Sequence, residues 1–219
     1  MKFTGLIQLC SKLQFPDRPK SNAKTLSGPC IATIYGFASR EHMQRNLLRF
    51  LRQSGYENTT MYGHLQAKMI ADDLQYAASQ GQSIVIIGFS QGGLEAVRVA
   101  NELHQRGVCV DLLVTIAAGG RGGYFWPHRW EDDPRNIPAN VLRCINYFSS
   151  ADFLGTDSVY EDNLAKVTHE NQYIENIYFP AKDRISHMSI SKSYPTVKVH
   201  PQIQLKLLQR IINELVMLK

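Results

Sequence analysis

The sequence predicts an α/β protein with a mainly parallel sheet of about six strands and helices on both faces. Short apolar runs rich in β-branched residues, such as Ile84–Ile87, alternate along the chain with longer segments whose apolar residues recur at helical spacing. Continuous apolar strands are typical of a parallel sheet covered on both faces. Catalytic groups are then expected on loops at the carboxyl ends of the strands.

The predicted strands follow from composition. Apolar, β-branched segments occur at 30–35, 83–88, 109–117, 141–148 and 173–179, and a weaker pattern occurs at 58–62.

Amphipathic patterns predict the helices between them. The first helix follows Ser39, whose side chain suits an N-cap, and has apolar residues at positions 43, 47, 48 and 51. A second has them at 65, 69, 70 and 74, a third covers 91–105, and a terminal helix begins at Pro201.

Length and composition indicate one domain over residues 1–219, with a polar lead-in segment at 1–29. The chain has 219 residues, of which 44% are hydrophobic and 20% charged, which excludes disordered and low-complexity classes. No apolar run approaches the ~18–20 residues of a membrane-spanning helix. The N-terminus has one lysine and a short apolar stretch without a cleavage pattern, so we expect a cytoplasmic protein.

The formal net charge of +5 lies at the two ends of the chain. Residues 1–30 carry five basic residues and one acidic, and residues 182–219 carry seven and two, so the middle is acidic. We therefore expect a solvated basic surface and no nucleic-acid partner; weak attraction of this surface to anionic membranes or nucleic acid is the alternative.

The four cysteines predict no metal or redox site, and we expect no cofactor. None is in a CxxC pair, and no HxxxH or HExxH spacing occurs. Cys30, Cys109 and Cys144 lie in apolar, strand-like segments and are expected to be buried free thiols.

The most informative segment joins the strand at 83–88 to the helix at 91–105. It reads Gly88-Phe89-Ser90-Gln91-Gly92-Gly93, the pattern Gly-x-Ser-x-Gly. A sharp turn from strand to helix strains the serine backbone, and glycines on either side avoid collisions. Ser90 is then exposed as a nucleophile, and the Gln91 amide points to where an oxyanion would form. The alternative is a glycine-rich turn with an incidental serine.

In this context, residues 30–219 resemble the α/β-hydrolase family. The string 88–93 is similar to the nucleophile elbow of its compact carboxylesterase, lipase and acyl-protein thioesterase branch, which lacks a large cap domain. The resemblance implies the family's fold and its chain order of nucleophile, acid and histidine.

A serine nucleophile needs an imidazole to accept its proton and a carboxylate to orient that imidazole. Asp152 lies just past the strand at 141–148, where the family acid lies, and is favoured over Asp157, which suits the cap of a short helix. His187 lies between the last strand and the terminal helix, at the family position. His169 precedes that strand, and His200 suits a helix start. The earlier histidines, at 42, 64, 104 and 128, are expected to be surface residues or to have structural roles.

The loop Tyr35-Gly36-Phe37-Ala38-Ser39 resembles the family's His-Gly loop, with Tyr35 in place of the histidine. The resemblance implies that the Phe37 backbone amide joins that of Gln91 in an oxyanion hole. The alternative is an ordinary strand-to-helix turn.

Residues 119–138 contain four glycines and four aromatic residues, Tyr124, Phe125, Trp126 and Trp130. Insertions at this place cover the active site in this fold. We expect a substrate-binding aromatic wall or a short lid for an acyl chain; the alternative is an aromatic plug on the sheet edge.

Together these features predict a serine hydrolase that cleaves a small-molecule or lipid acyl ester, or a thioester, through an acyl-enzyme. An acyltransferase with the same triad and a non-catalytic binding module are the alternatives.

Overall fold

The computed structural model describes residues 15–19, 28–118, 133–193 and 198–218. Within them, six strands form one sheet in the order β2-β1-β3-β4-β5-β6, and every neighbouring pair is parallel. The strands are β1 (Cys30–Tyr35), β2 (Thr59–Gly63), β3 (Ile84–Phe89), β4 (Leu112–Ile116), β5 (Arg143–Ser149) and β6 (Tyr173–Phe179). The predicted fold class is confirmed.

Helical segments connect the strands. The segment α1 comprises Arg40–Met43, a π-helical stretch Gln44–Leu48 and Arg49–Gln53, and α2 (Ala67–Ser79) and α3 (Gln91–Gln105) are regular α-helices. A four-residue helix, α4 (His187–Ile190), follows β6, and α5 comprises Pro201–Ile203, a π-helical stretch Gln204–Gln209 and Arg210–Val216. Short 3₁₀ turns occur at Tyr160–Asn163 and Ala181–Asp183.

Successive residues of each strand point to opposite sides of the sheet, and helices cover both sides. One apolar cluster joins the strands to α1 and α5, and includes Ile31, Val85, Val114, Leu47 and Leu207. The other joins them to α2 and α3, and includes Ile34, Ile86, Leu113, Leu74 and Val97. This double burial explains the unbroken apolar strands of the sequence.

Two expectations about the strands need correction. The strand predicted at 109–117 begins only at Leu112, so Cys109 lies in the connection from α3 and is exposed rather than buried. Cys144 is buried and Cys30 is partly buried, and both thiols are free. Burial raises the pKa of the Cys30 thiol to about 11, which keeps it protonated.

Part of the lead-in segment belongs to the sheet. Asp17 pairs antiparallel with Met61 of β2, with N–O distances of 2.8 and 3.0 Å between their backbones. The segment 15–19 thus lies along the outer edge of β2.

Across the described residues, no helix is both long and apolar enough to span a bilayer.

Candidate active site

The turn from β3 to α3 holds Ser90 in a strained conformation. Its φ of 57° and ψ of −130° lie in a region that side-chain-bearing residues rarely adopt. The Ser90 amide donates to the Ile116 carbonyl of β4 at 2.8 Å, which fixes the turn to the neighbouring strand.

The glycines around Ser90 are required by close backbone approaches. A Cβ on Gly88 would lie 2.2 Å from the Gly92 carbonyl oxygen, and one on Gly92 would lie 2.1 Å from the Ile34 carbonyl oxygen. Any side chain at either position would force the turn apart, which is the reason that the sequence motif implies.

Ser90, His187 and Asp152 form one hydrogen-bonded chain. Ser90 Oγ is 3.0 Å from His187 Nε2, and His187 Nδ1 is 2.8 Å from Asp152 Oδ2. The Asp152 side chain is 0% exposed and that of His187 is 12% exposed. A buried carboxylate can only accept here, so Nδ1 carries the imidazole proton and Nε2 is free to accept the Ser90 hydroxyl proton.

A tight turn after β5 aims the Asp152 carboxylate. Its Oδ1 accepts hydrogen bonds from the amides of Leu154 at 2.9 Å and Gly155 at 2.8 Å. This leaves Oδ2 for His187.

Asp157 lies apart from this chain and does not cap a helix. Its amide donates to Asn163 Oδ1 at 2.6 Å, and its carbonyl accepts from Asn163 Nδ2 at 3.0 Å. The 3₁₀ turn there begins at Tyr160, with Val159 at its N-cap. The predicted capping role is wrong because Val159, not Asp157, occupies the N-cap of this turn.

The other late histidines lie away from the hydrogen-bonded chain. His200 is the N-cap of α5, where its Nδ1 accepts from the Gln202 amide at 3.2 Å. His169 is exposed in the turn before β6. Both positions agree with the sequence analysis.

The loop between β1 and α1 packs against the Ser90 turn. A Cβ on Gly36 would lie 2.9 Å from both the Gln91 amide nitrogen and Ser90 Cβ. The loop that carries the Phe37 amide and the turn that carries the Gln91 amide therefore lie against each other beside Ser90. Neither the Gln91 nor the Phe37 amide is a donor in the backbone hydrogen bonds of the turns and loops that the structure describes.

Ser39 does not cap α1 through its side chain as predicted. Its hydroxyl instead donates to the Gly36 carbonyl at 3.0 Å, and its amide does so at 3.3 Å. Ala38, between Gly36 and Ser39, has a φ of 53°. The hydroxyl closes a turn that begins at Gly36, beside Ser90, rather than serving the helix.

The sequence analysis did not identify Gly155 and Ser149 as contributors to the site. A Cβ on Gly155 would lie 2.4 Å from the Ala117 carbonyl oxygen and 2.7 Å from both Asp152 Oδ2 and His187 Nδ1. The buried Ser149 hydroxyl donates to the Ile185 carbonyl at 2.7 Å, which ties the end of β5 to the segment before His187. The only sequence signal was a glycine three residues after Asp152.

The predicted aromatic wall, Tyr124, Phe125, Trp126 and Trp130, lies outside the described residues. Among the described residues that neighbour this site in sequence, four large apolar side chains are exposed. They are Phe37 at 65%, Phe153 at 94%, Leu154 at 66% and Met188 at 40%. Each is within two residues of Gly36, Asp152 or His187.

Among the described ranges, no three His, Cys, Asp or Glu side chains are grouped so that they could hold a metal ion.

No protein-family model and no curated protein sequence matches the chain. Solved structures do resemble it. RedJ thioesterase, from the prodiginine biosynthetic pathway in Streptomyces coelicolor, is 13% identical, with 98% of this chain and 97% of that chain covered and a TM-score of 0.54. Human thioesterase 2 is 12% identical, with 85% of this chain and 96% of that chain covered and a TM-score of 0.52. Lipase B of Aspergillus fumigatus is 13% identical, with 79% of this chain and 52% of that chain covered and a TM-score of 0.60.

At these identities the likeness concerns architecture. It extends over nearly the full length of the two thioesterases and includes the six-stranded parallel sheet of this chain. The chain therefore has the α/β-hydrolase fold.

Proposed function

We propose that the protein is a serine hydrolase that cleaves a carboxylic ester or thioester through an acyl-enzyme on Ser90. The observation that carries the proposal is the unbroken hydrogen-bonded chain from Ser90 through His187 to Asp152. These three residues lie at the carboxyl edge of the sheet, where proteins with open α/β sheets have their catalytic groups. The structural likeness to thioesterases and a lipase supports the same reaction class.

In the proposed mechanism, Ser90 Oγ attacks the substrate carbonyl carbon while His187 Nε2 accepts the hydroxyl proton. Asp152 stabilises the imidazolium that forms. The developing oxyanion accepts hydrogen bonds from the amides of Gln91, at the N-terminus of α3, and Phe37.

The tetrahedral intermediate then collapses to the acyl-enzyme. The proton on His187 passes to the leaving alcohol or thiol as the carbonyl re-forms, and the acyl group stays on Ser90. A water molecule then attacks this acyl-enzyme while the same imidazole accepts its proton. As the second tetrahedral intermediate collapses, the bond between the acyl carbon and Ser90 Oγ breaks, the carboxylic acid leaves, and His187 Nε2 returns the proton to Ser90 Oγ, which regenerates the enzyme.

The surroundings favour a substrate with an apolar acyl part. The exposed side chains of Phe37, Phe153, Leu154 and Met188 are apolar, and such surface near a site is suited to alkyl or aryl groups. We propose that Tyr124, Phe125, Trp126 and Trp130 contribute further aromatic surface. The substrate class is therefore a small-molecule or lipid acyl ester or thioester.

The decisive test is labelling with a fluorophosphonate, which reacts covalently with activated serines. The wild type should be labelled and Ser90→Ala should not, although circular dichroism should show that the variant is folded. Ser79→Ala, which changes an exposed serine at the end of α2, is the matched control and should be labelled normally. Labelling of the folded Ser90→Ala variant would disprove the nucleophile assignment.

The same preparations should then be assayed with ester and thioester series of increasing acyl length. We expect kcat/KM to rise with chain length, because each added methylene contributes about 0.8 kcal/mol when it is buried. Binding of these compounds without any turnover would favour the non-catalytic alternative.

A further inference from the structure

A second histidine, His42 on α1, contacts the segment that carries His187. Its Nε2 is 2.9 Å from the Oγ of Ser191, the residue directly after α4. Ser191 is buried. The ring of buried Phe89, next to Ser90, has its centroid 6.1 Å from that of His42 and 4.9 Å from that of His187.

Asn46 forms a second contact from α1 to the same segment. Its Oδ1 accepts from the amide of Ser193 at 3.0 Å, and its Nδ2 donates to the carbonyl of His42 at 2.9 Å. The Ser193 hydroxyl donates to the Ser191 carbonyl at 3.1 Å. Asn46 lies in the π-helical stretch of α1, a geometry that is frequent at functional sites.

These contacts favour one protonation state of His42. Asn46 Nδ2, a donor, lies 3.5 Å from His42 Nδ1, which favours a bare Nδ1 and a proton on Nε2 directed at Ser191 Oγ. Burial lowers the pKa of His42, and the charges of Lys192 and of protonated His187 lower it further. On α1 itself, Glu41 and Arg45 pair with each other at 3.1 Å.

The helix α4 depends on such contacts. It has four residues, far fewer than the about 12–15 that make an isolated helix even marginally stable. Its orientation must therefore come from its attachments. Ser149 holds the chain on one side through the Ile185 carbonyl, and His42 holds it on the other through Ser191.

We propose that neutral His42 is a positioning residue for His187: by holding Ser191, it keeps His187 Nε2 within hydrogen-bonding distance of Ser90. This inference rests on the proposed function. His42 transfers no proton and touches no reacting atom. Since a misplacement of about 1 Å can cost about 100-fold in rate, loss of this contact should lower kcat by roughly tenfold or more.

The test compares kcat and KM for wild type, His42→Ala, Ser191→Ala, the double variant and His42→Gln. Each single truncation should lower kcat about tenfold with KM almost unchanged, and the double variant should lose little more because both remove one hydrogen bond. His42→Gln, which keeps a side-chain N–H donor, should recover most of the rate. His104→Ala, which changes an exposed histidine on α3, is the matched control.

A second measurement is independent of turnover. Spectra of ¹⁵N-histidine-labelled wild type should show His42 neutral with its proton on Nε2 at pH 7, and Ser191→Ala should broaden the His187 ring signals. If His42→Ala fails to fold, Ser191→Ala, which removes one oxygen atom, decides the rate test.

The outcomes separate the two proposals. If Ser90→Ala is inactive but His42→Ala and Ser191→Ala keep wild-type kcat, or if His42 is cationic at pH 7, the positioning role is wrong and the proposed function stands. If the wild type neither hydrolyses acyl compounds nor reacts with the fluorophosphonate, the proposed function fails. The His187 signals in Ser191→Ala then still decide whether Ser191 fixes its ring.

Discussion

At the scale of single residues, the proposed chemistry depends on how Asp152 uses its two oxygens. Oδ1 is held by the amides of Leu154 and Gly155, so Oδ2 alone faces the His187 Nδ1 proton. In Asp152→Asn, the amide group would direct N–H donors at Nδ1 and favour the tautomer that cannot accept the Ser90 proton. We expect kcat to fall by about 10⁴, the scale known for this change in serine hydrolases, with little loss of stability.

Asp157→Asn is the matched control for that prediction. Because Asp152, not Asp157, is hydrogen-bonded to His187, kcat should stay within about twofold of wild type. Steady-state assays of both variants on one ester measure the difference. The opposite ranking would show that Asp157 is the acid.

A second prediction concerns Gly155. In Gly155→Ala, the new methyl group would lie 2.4 Å from the Ala117 carbonyl oxygen and 2.7 Å from both atoms of the Asp152–His187 hydrogen bond. We expect a loss of about 1–3 kcal/mol of unfolding free energy, as for overpacking elsewhere, and a lower kcat. Urea denaturation and steady-state kinetics measure the two effects.

Gly55→Ala is a control that introduces backbone strain at a position away from the Asp152–His187 hydrogen bond. Gly55 has a φ of +91° and open space around it, so the change should cost about 1–2 kcal/mol of stability through the backbone alone. Its kcat should equal that of wild type at temperatures where it is folded. A Gly155→Ala variant that also kept wild-type kcat would contradict the role assigned to Gly155.

At the scale of elements, the sequence predicts the strands better than the helices. The central strands β1, β3 and β4 are buried on both faces and therefore appear in the sequence as continuous, mainly apolar runs that are easy to recognise, whereas β6 at the sheet edge is mostly only partly buried. The π-helical stretches of α1 and α5 keep nearly the same apolar spacing as an α-helix, so the sequence does not reveal them. The helix α4 has too few residues to show any period.

The contact between α2 and α3 contains a buried carboxylate. Glu95 of α3 is 2% exposed, and its Oε1 accepts from the Ala67 amide at the start of α2 at 2.7 Å. Arg98 donates to its Oε2 at 3.1 Å. Burial raises the pKa of Glu95 more than Arg98 and the backbone amides lower it.

The third prediction follows from the sign of this shift. Because folding raises the pKa of Glu95, the protonated carboxyl contributes to the stability of the folded state. This contribution is complete below the ordinary carboxyl pKa of about 4.3 and is lost as the pH rises through the pKa of Glu95 in the folded protein. Glu95→Gln keeps the acceptor for Ala67 and cannot ionise. The unfolding free energy of wild type relative to Glu95→Gln should therefore decrease from acid to neutral pH, as measured by urea denaturation at a series of pH values.

Glu102→Gln removes a partly exposed carboxylate from the same helix and serves as the control for charge removal. A wild-type to Glu95→Gln difference that stays constant with pH, or that grows toward neutral pH, would show that folding does not raise the pKa of Glu95.

At the scale of the whole molecule, local and distant determinants of the site differ in how well the sequence predicts them. The Ser90 turn depends on residues within a few positions of one another, so its motif is readable. The contacts of Ser149 with Ile185 and of His42 with Ser191 join residues 36 and 149 positions apart. Such pairings depend on how the loops converge at the sheet edge, and no local pattern signals them.

The outer edge of β2 shows how the chain protects its sheet. All five residues of β2 are buried, and the strand is rich in residues that favour β structure. An open edge of this kind is a template for pairing with another molecule. Asp17 covers it through two backbone hydrogen bonds to Met61, and Arg52 Nη1 holds the Asp17 carboxylate at 3.0 Å.

The last prediction separates these two attachments. Asp17→Pro removes the N–H that donates to the Met61 carbonyl, so the segment 15–19 should detach and open the β2 edge. We expect concentration-dependent association, detected by light scattering during heating, and a lower melting temperature. Asp17→Asn keeps both backbone bonds and changes only the side-chain contacts with Arg52 and with Gln44, whose Nε2 donates to Asp17 Oδ2 at 2.9 Å, so it should cost about 1 kcal/mol and should not associate. If Asp17→Asn associates as strongly as Asp17→Pro, the ion pair rather than the backbone pairing holds the segment on the sheet.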